Sequence, residues 1–190
     1  AQANDDITLT FTASEAIGTP VVTFRSGGDA ITDGSVVYSN TSGNTWTAVY
    51  TANASDTDGA VTYSIAFSDT TGNAGTAVTS GSGSVTTDTT APTLSGVSIA
   101  SDNSTATLAK AGDDVTLTFT ASEAIGTPVV TFRSGGDAIT DGSVIYSNTS
   151  GNTWTAVYTA NASDTDGAVT YSIAFNDTTG NAGTAVTSGS

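Results

Sequence analysis

VTLTFTA, residues 115–121, alternates apolar Val115, Leu117 and Phe119 with Thr116, Thr118 and Thr120. Side chains in a strand project to opposite faces with a period of two, so the stretch reads as a strand with one dry face and one wet face. The same alternation recurs at Trp154, Ala156 and Tyr158, and at Val169, Tyr171, Ile173 and Phe175. Working outward, Thr93–Ile99, Val115–Ala121, Pro128–Arg133, Ser143–Ser147, Thr153–Thr159, Ala168–Phe175 and Gly183–Thr187 are short and rich in β-branched or aromatic residues. Gly, Asp, Asn and Ser clusters separate them, and no helical period competes. Seven short strands in one unit predict an all-β fold, a two-sheet antiparallel sandwich.

The chain carries this unit twice. Residues 1–82 return as residues 109–190, with only five aligned pairs differing: Gln2/Lys110, Asn4/Gly112, Ile7/Val115, Val37/Ile145 and Ser68/Asn176. The 108-residue offset exceeds a solenoid repeat and matches a domain that buries its own core, so beads on a string are expected. An active site gains nothing from a second copy of its whole domain. A rod, a spacer or a multivalent surface gains reach with each copy.

Composition narrows the function further. Eighteen acidic residues face three basic ones, giving a net charge of −15. Neither a nucleic-acid footprint nor attraction to anionic lipid can be built from that balance. An acidic surface attracts cations, or simply keeps a long fibre soluble. The chain has no Cys, His or Met, so disulfides, thiolate nucleophiles and the usual zinc, copper and haem ligands are excluded. No run of about 18 apolar residues is present to span a membrane as a helix, and no signal peptide is visible. Regular apolar alternation argues for a folded chain rather than an acidic disordered one.

A domain boundary is expected near Thr87–Thr90, dividing the chain into residues 1–87 and 88–190. The joining SGSGSVTTDTTAPTLSG (Ser80–Gly96) combines a flexible Gly/Ser portion with a strand-like, Pro92-stiffened remainder. The segment Asp88–Leu108, source of the second repeat's first strand, has no counterpart before Ala1. The first repeat should therefore lack its N-terminal strand and expose a sheet edge. Either a fragment boundary or a strand supplied by another molecule accounts for the gap; the latter would polymerise subunits by strand addition.

DTTAPTL (Asp88–Leu94), VTLTFTASEAI (Val115–Ile125), TWTAVYTANASDTDG (Thr153–Gly167) and AFNDTTGNAG (Ala174–Gly183) together resemble the bacterial immunoglobulin-like repeats of large surface adhesins. The likeness covers all of the second repeat and the available part of the first. It implies tandem Ig-like extender domains, exported to the cell surface and often stiffened by Ca²⁺ at loops or junctions.

Candidate ion ligands follow from oxygen-rich turns. Hard Ca²⁺ takes six to eight oxygens, which alternating side chains on a Gly-ended turn can offer. Asn53, Ser55, Asp56 and Asp58 form one such loop, and Asn161, Ser163, Asp164 and Asp166 its copy. Both lack the length and bidentate Glu of an EF-hand, and an Asp/Gly turn explains them equally. Asp69 and Asp177 sit in DTTGN turns that a hairpin also demands. Asp88 and Asp102 lie near the junction, and Asp113 and Asp114 open a strand, as Asp5 and Asp6 do. Carboxylates gathered there would repel unless a cation bridged them.

Other residues carry weaker signals. Glu15 and Glu123 fall one per repeat, unlike the paired carboxylates of glycoside hydrolysis, and fit turns. A Ser/His/Asp triad is impossible without His. Trp46, Tyr50, Trp154 and Tyr158 alternate within strands and read as core rather than sugar platforms. Lys110 replaces Gln2 and reads as a surface substitution rather than a cross-linking lysine. Asn40, Asn53, Asn103, Asn148, Asn161 and Asn176 head glycosylation sequons that arise readily in such a composition. The expected function is a non-enzymatic extracellular stalk repeat with calcium as its candidate cofactor. A self-polymerising fibre subunit and a multivalent carbohydrate-binding module are the alternatives.

Overall fold

The computed structural model describes residues 1–32, 34–140 and 142–187. The chain divides into two compact units, Ala1–Thr90 and Ala91–Ser190.

In the second unit, β8 (Leu94–Ser101), β9 (Asp114–Ala121), β12 (Ile145–Ser150) and β13 (Thr153–Thr159) form one sheet in the order β12-β13-β9-β8. Its partner sheet holds β10 (Val129–Ser134), β11 (Asp137–Ala138), β14 (Val169–Ala174) and β15 (Val186–Thr187) in the order β11-β10-β14-β15. Among the described residues, the strand pairings of this unit are all antiparallel. The first, second, fifth and sixth strands thus share one sheet, and the third, fourth, seventh and eighth the other. This is the strand arrangement of an immunoglobulin sandwich.

Alternation explains the core. Along β9, Val115, Leu117, Phe119 and Ala121 are buried, while the intervening threonines remain partly accessible. They meet Val130, Phe132 and Ile173 of the opposite sheet, and Phe132 packs tilted on Tyr158 with ring centroids 4.8 Å apart. Leu94 and Val97 of β8 close one side of this cluster. The β8–β9 register shifts between Ser95 and Ser98. Gly96 lies there with φ 59°, a left-handed conformation that a residue without Cβ adopts readily.

The first unit repeats the plan one strand short. β1 (Asp6–Thr12), β4 (Val37–Ser42) and β5 (Thr45–Thr51) form a three-stranded sheet in the order β1-β5-β4. β2 (Val21–Ser26), β3 (Asp29–Ala30), β6 (Gly59–Ala66) and β7 (Thr86–Thr87) form the other, in the order β3-β2-β6-β7. Its core gathers Ile7, Val22, Phe24, Ala48, Tyr50, Ala52 and Ile65. Among the described residues of this unit, no strand pairs with the outer edge of β1. The expectation of an all-β tandem whose first copy lacks its N-terminal strand holds.

The sequence-read strands map closely onto observed ones, with differences at the ends. The segment read as Ser143–Ser147 begins at Ile145 and runs to Ser150, because Asn148 and Ser150 pair across a bulge with Trp154 and Thr153.

Candidate functional site

The NASDTDG loop of each unit is organised around its first aspartate. Asp56 is buried; its Oδ1 accepts the Thr32 N–H at 2.7 Å and its Oδ2 the Asn53 N–H at 2.9 Å. Asn53 Oδ1 accepts the Ser55 N–H at 3.0 Å. The carboxylate thus staples the β5–β6 loop to the segment after β3. Burial opposes its ionisation, but hydrogen bonds from Asn53 and Thr32 outweigh that and hold the carboxyl below its ordinary value. In the second unit Asp164 takes Thr140 N–H at 2.7 Å and Asn161 N–H at 2.9 Å, and Asn161 Oδ1 takes Ser163 N–H at 2.9 Å.

Tyr50 lies beneath this loop. Its phenol is pushed up to about 12, by burial first and by the Asp56 charge second. Tyr50 packs tilted on Phe24 at 4.8 Å. Trp46 and Trp154 are half-buried, with each indole nitrogen enclosed. Among the described residues, the exposed large apolar side chains are aliphatic and include Val21, Val37, Val129 and Ile145.

Asp58 has a different task. Its Oδ1 accepts the N–H and hydroxyl of Thr89 at 2.6 and 2.9 Å, and its Oδ2 the Thr90 hydroxyl at 2.5 Å. Beside it, the buried Thr87 hydroxyl shares a hydrogen bond with Ser26 Oγ and donates to Gly59 O at 3.1 Å. The Ala1 ammonium donates to Thr86 O at 2.8 Å, and Asp88 N–H to Ala1 O at 2.9 Å. The Asp88 carboxylate accepts the Thr90 N–H at 3.3 Å. These contacts clamp Thr86–Thr90 onto the first sandwich. Sequence reasoning missed the clamp: Ser26 and Thr87 lie 61 positions apart and carry no local pattern.

The DTTGN turns are closed by their own aspartates. Asp69 Oδ1 accepts Thr71 N–H, Thr71 hydroxyl and Asn73 N–H at 2.9, 2.9 and 2.8 Å, while Oδ2 takes the Asn73 amide at 2.7 Å. The Asn73 side chain first, then its backbone N–H, hold this carboxyl down at about 2. Asp177 repeats the pattern with Thr179, Gly180 and Asn181.

Three more candidates meet at the start of β9. Asp102 Oδ1 accepts the Asp114 N–H at 2.9 Å, and Asp114 Oδ1 the Thr159 hydroxyl at 2.7 Å. Asp113 takes the Asn103 amide at 2.7 Å and the Lys110 N–H at 2.9 Å on Oδ2, and the Lys110 ammonium at 2.7 Å on Oδ1. Asn103 first, then Lys110, keep the Asp113 carboxyl down at about 2. A positive group therefore already stands at this acidic corner. Lys110, read from sequence as a surface substitution, is an ion-pair partner whose side chain is nonetheless 76 % exposed.

No family model matches the chain, and no curated protein matches it. Solved structures do. A titin I-band fragment, I67–I69, is 13 % identical over 98 % of this chain and 59 % of its own, with a TM-score of 0.45. Titin domains Z1Z2 in complex with telethonin are 18 % identical over 99 % and 87 %, with a TM-score of 0.28. The N-terminal eight Ig domains of Down Syndrome Cell Adhesion Molecule are 15 % identical over 98 % and 25 %, with a TM-score of 0.40.

Proposed function

We propose that the chain is a non-catalytic extender, a tandem of Ig-like beads that gives an extracellular bacterial adhesin or fibre its length. The supporting observation is that each of two near-identical units encloses its own apolar cluster. The clamp at Thr86–Thr90 adds to it, since the segment leading out of the first bead is fastened to that bead by Asp58, Ser26 and Gly59. A net charge of −15 keeps such a stalk from collapsing on itself.

Concatenated chains of two, four and six units test this by small-angle scattering. The maximum dimension should grow by a constant increment per added pair; growth as the cube root of mass would overturn the proposal.

Calcium is a separable part of the proposal. Asp56, Asp58, Asp69, Asp113, Asp164 and Asp177 accept hydrogen bonds on both carboxylate oxygens. Asp102 and Asp114 accept theirs on Oδ1, so a calcium ion at their corner would have to stand beside the Lys110 ammonium or displace it. A rise in melting temperature with calcium, reversed by chelator and reduced in Asp102→Asn, is expected. Superimposable melting curves would remove calcium and leave the extender intact.

A further inference from the structure

Among the described residues, β12 pairs with β13 alone and β4 with β5 alone, so each unit has a sheet that ends on one of these strands. Both lie in mid-chain, β12 between β11 and β13 and β4 between β3 and β5. This edge therefore belongs to the bead whatever precedes or follows it. A free edge presents a row of unpaired backbone donors and acceptors, which proteins usually guard with charge, proline or brevity. The neighbouring edge of the same bead is guarded. There β11 is only two residues long and begins with Asp137. Beyond its reach, the Tyr146 hydroxyl accepts the Val130 N–H at 2.8 Å and donates to Val130 O at 3.4 Å. Tyr38 does the same for Val22.

The β12 edge has neither guard. Its sequence IYSNTS carries no charge and no proline, and all of it except Tyr146 is exposed. Ile145 and its counterpart Val37, 71 and 69 % exposed, are the most accessible large apolar side chains among the described residues. Ile145 stands opposite Val157, and Val37 opposite Val49, so an apolar step runs from each edge onto the next strand. Further in, the outward side chains are Thr155, Thr116 and Thr118. That is an uncharged front on a chain of net charge −15. The register shift between Asn148 and Ser150 bends the far end of β12, which leaves Ile145–Asn148 as the straight part.

We propose that this edge pairs with the same edge of a second copy of the chain, antiparallel about a two-fold axis, so that two sheets become one. Charge selects that occupant. A cationic partner is drawn to the acidic loops, where the carboxylates lie, and finds none on β12. A second copy brings an equally uncharged edge of matching length and twist. It carries two of them, β4 and β12, which doubles the places where a pairing can form. Elsewhere like charges hold the copies apart and confine contact to this edge. Pairing also shields Ile145 and Val37 from water. The edge is there whether or not the chain serves as a stalk.

Sedimentation of the intact chain over a range of concentrations, at low and at high salt, tests this. Reversible association is expected, and it should be stronger at high salt, where screening removes the repulsion between copies and spares the uncharged contact. Ser39→Lys with Ser147→Lys sets like charges across both edges and should weaken association about tenfold or more. Thr10→Lys with Thr118→Lys adds the same charge to β1 and β9, away from these edges, and should leave association unchanged. All four side chains are exposed or half-buried, so the variants keep their fold, which an unaltered melting temperature checks. A monomer at every concentration and both salts would overturn the proposal. So would association that weakens with salt, ignores the edge lysines, or is lost on changing Thr10 and Thr118.

Discussion

Gly59 lies so close to Gly27 that a Cβ on Gly59 would stand 2.8 Å from Gly27 Cα. Gly59 also has φ 140°, in a region that side chains rarely enter. The close approach lets the NASDTDG loop settle onto the β2–β3 turn and brings Asp58 beside Thr89. Gly59→Ala should destabilise the first unit by about 1–3 kcal/mol, through backbone strain and a contact that only main chain can relieve. Urea unfolding checks this, and Gly167→Ala should act likewise on the second unit, where the corresponding distance is 2.6 Å.

The two copies should differ where their sequences do not. Leu117 is fully buried beneath β8, while Leu9 is only half-buried. Leu117→Ala should cost about 2–5 kcal/mol as a cavity forms, and Leu9→Ala clearly less. Denaturant titration of the two variants, with the units told apart by residue-specific exchange, measures the difference.

How much of this was legible in the sequence depends on range. The Thr/apolar alternation of Val115–Ala121 announced β9, observed as Asp114–Ala121, and TWTAVYT marked β13 to the residue. Strand pattern is a local property, carried by each side chain's own polarity. By contrast β11 is two residues, Asp137–Ala138, with no alternation to detect. The clamp is invisible for another reason, since Thr87 in SVTTDTT looks like every other linker threonine until the fold carries Ser26 to it. The candidate loops were found by composition, but which donors their carboxylates hold is decided by Thr32, Thr140 and Lys110.

Acid should weaken the protein in a defined direction. Asp69 and Asp113 are held at about 2 against an ordinary 3.8, and Asp56, Asp58, Asp164 and Asp177 are also lowered. A depressed folded-state value means the stabilisation is complete above the unfolded value and is lost as pH falls through the folded one. Melting temperature should therefore be flat from about pH 7 to pH 5 and fall progressively between about pH 4 and pH 2. Asp69→Asn should flatten part of that fall, which scanning calorimetry across the range would reveal.

Removing the Thr87 hydroxyl tests the clamp without changing size. Thr87→Val strips Ser26 Oγ and Gly59 O of a partner in a buried setting, at about 1–3 kcal/mol. Thr86–Thr90 should then exchange amide protons faster while β9 and β13 remain protected. Equal exchange in the two proteins would show that the hydroxyl holds nothing.

The contacts of Ala1 have a mechanical consequence. Ala1 donates to Thr86 O and receives from Asp88 N–H, the bonding pattern of two segments running in the same direction. Drawing the opposite ends of the first bead apart would slide these segments lengthwise along each other. The hydrogen bonds then share the load and rupture together instead of unzipping singly, so resistance to tension is concentrated where Ala1 runs beside Thr87.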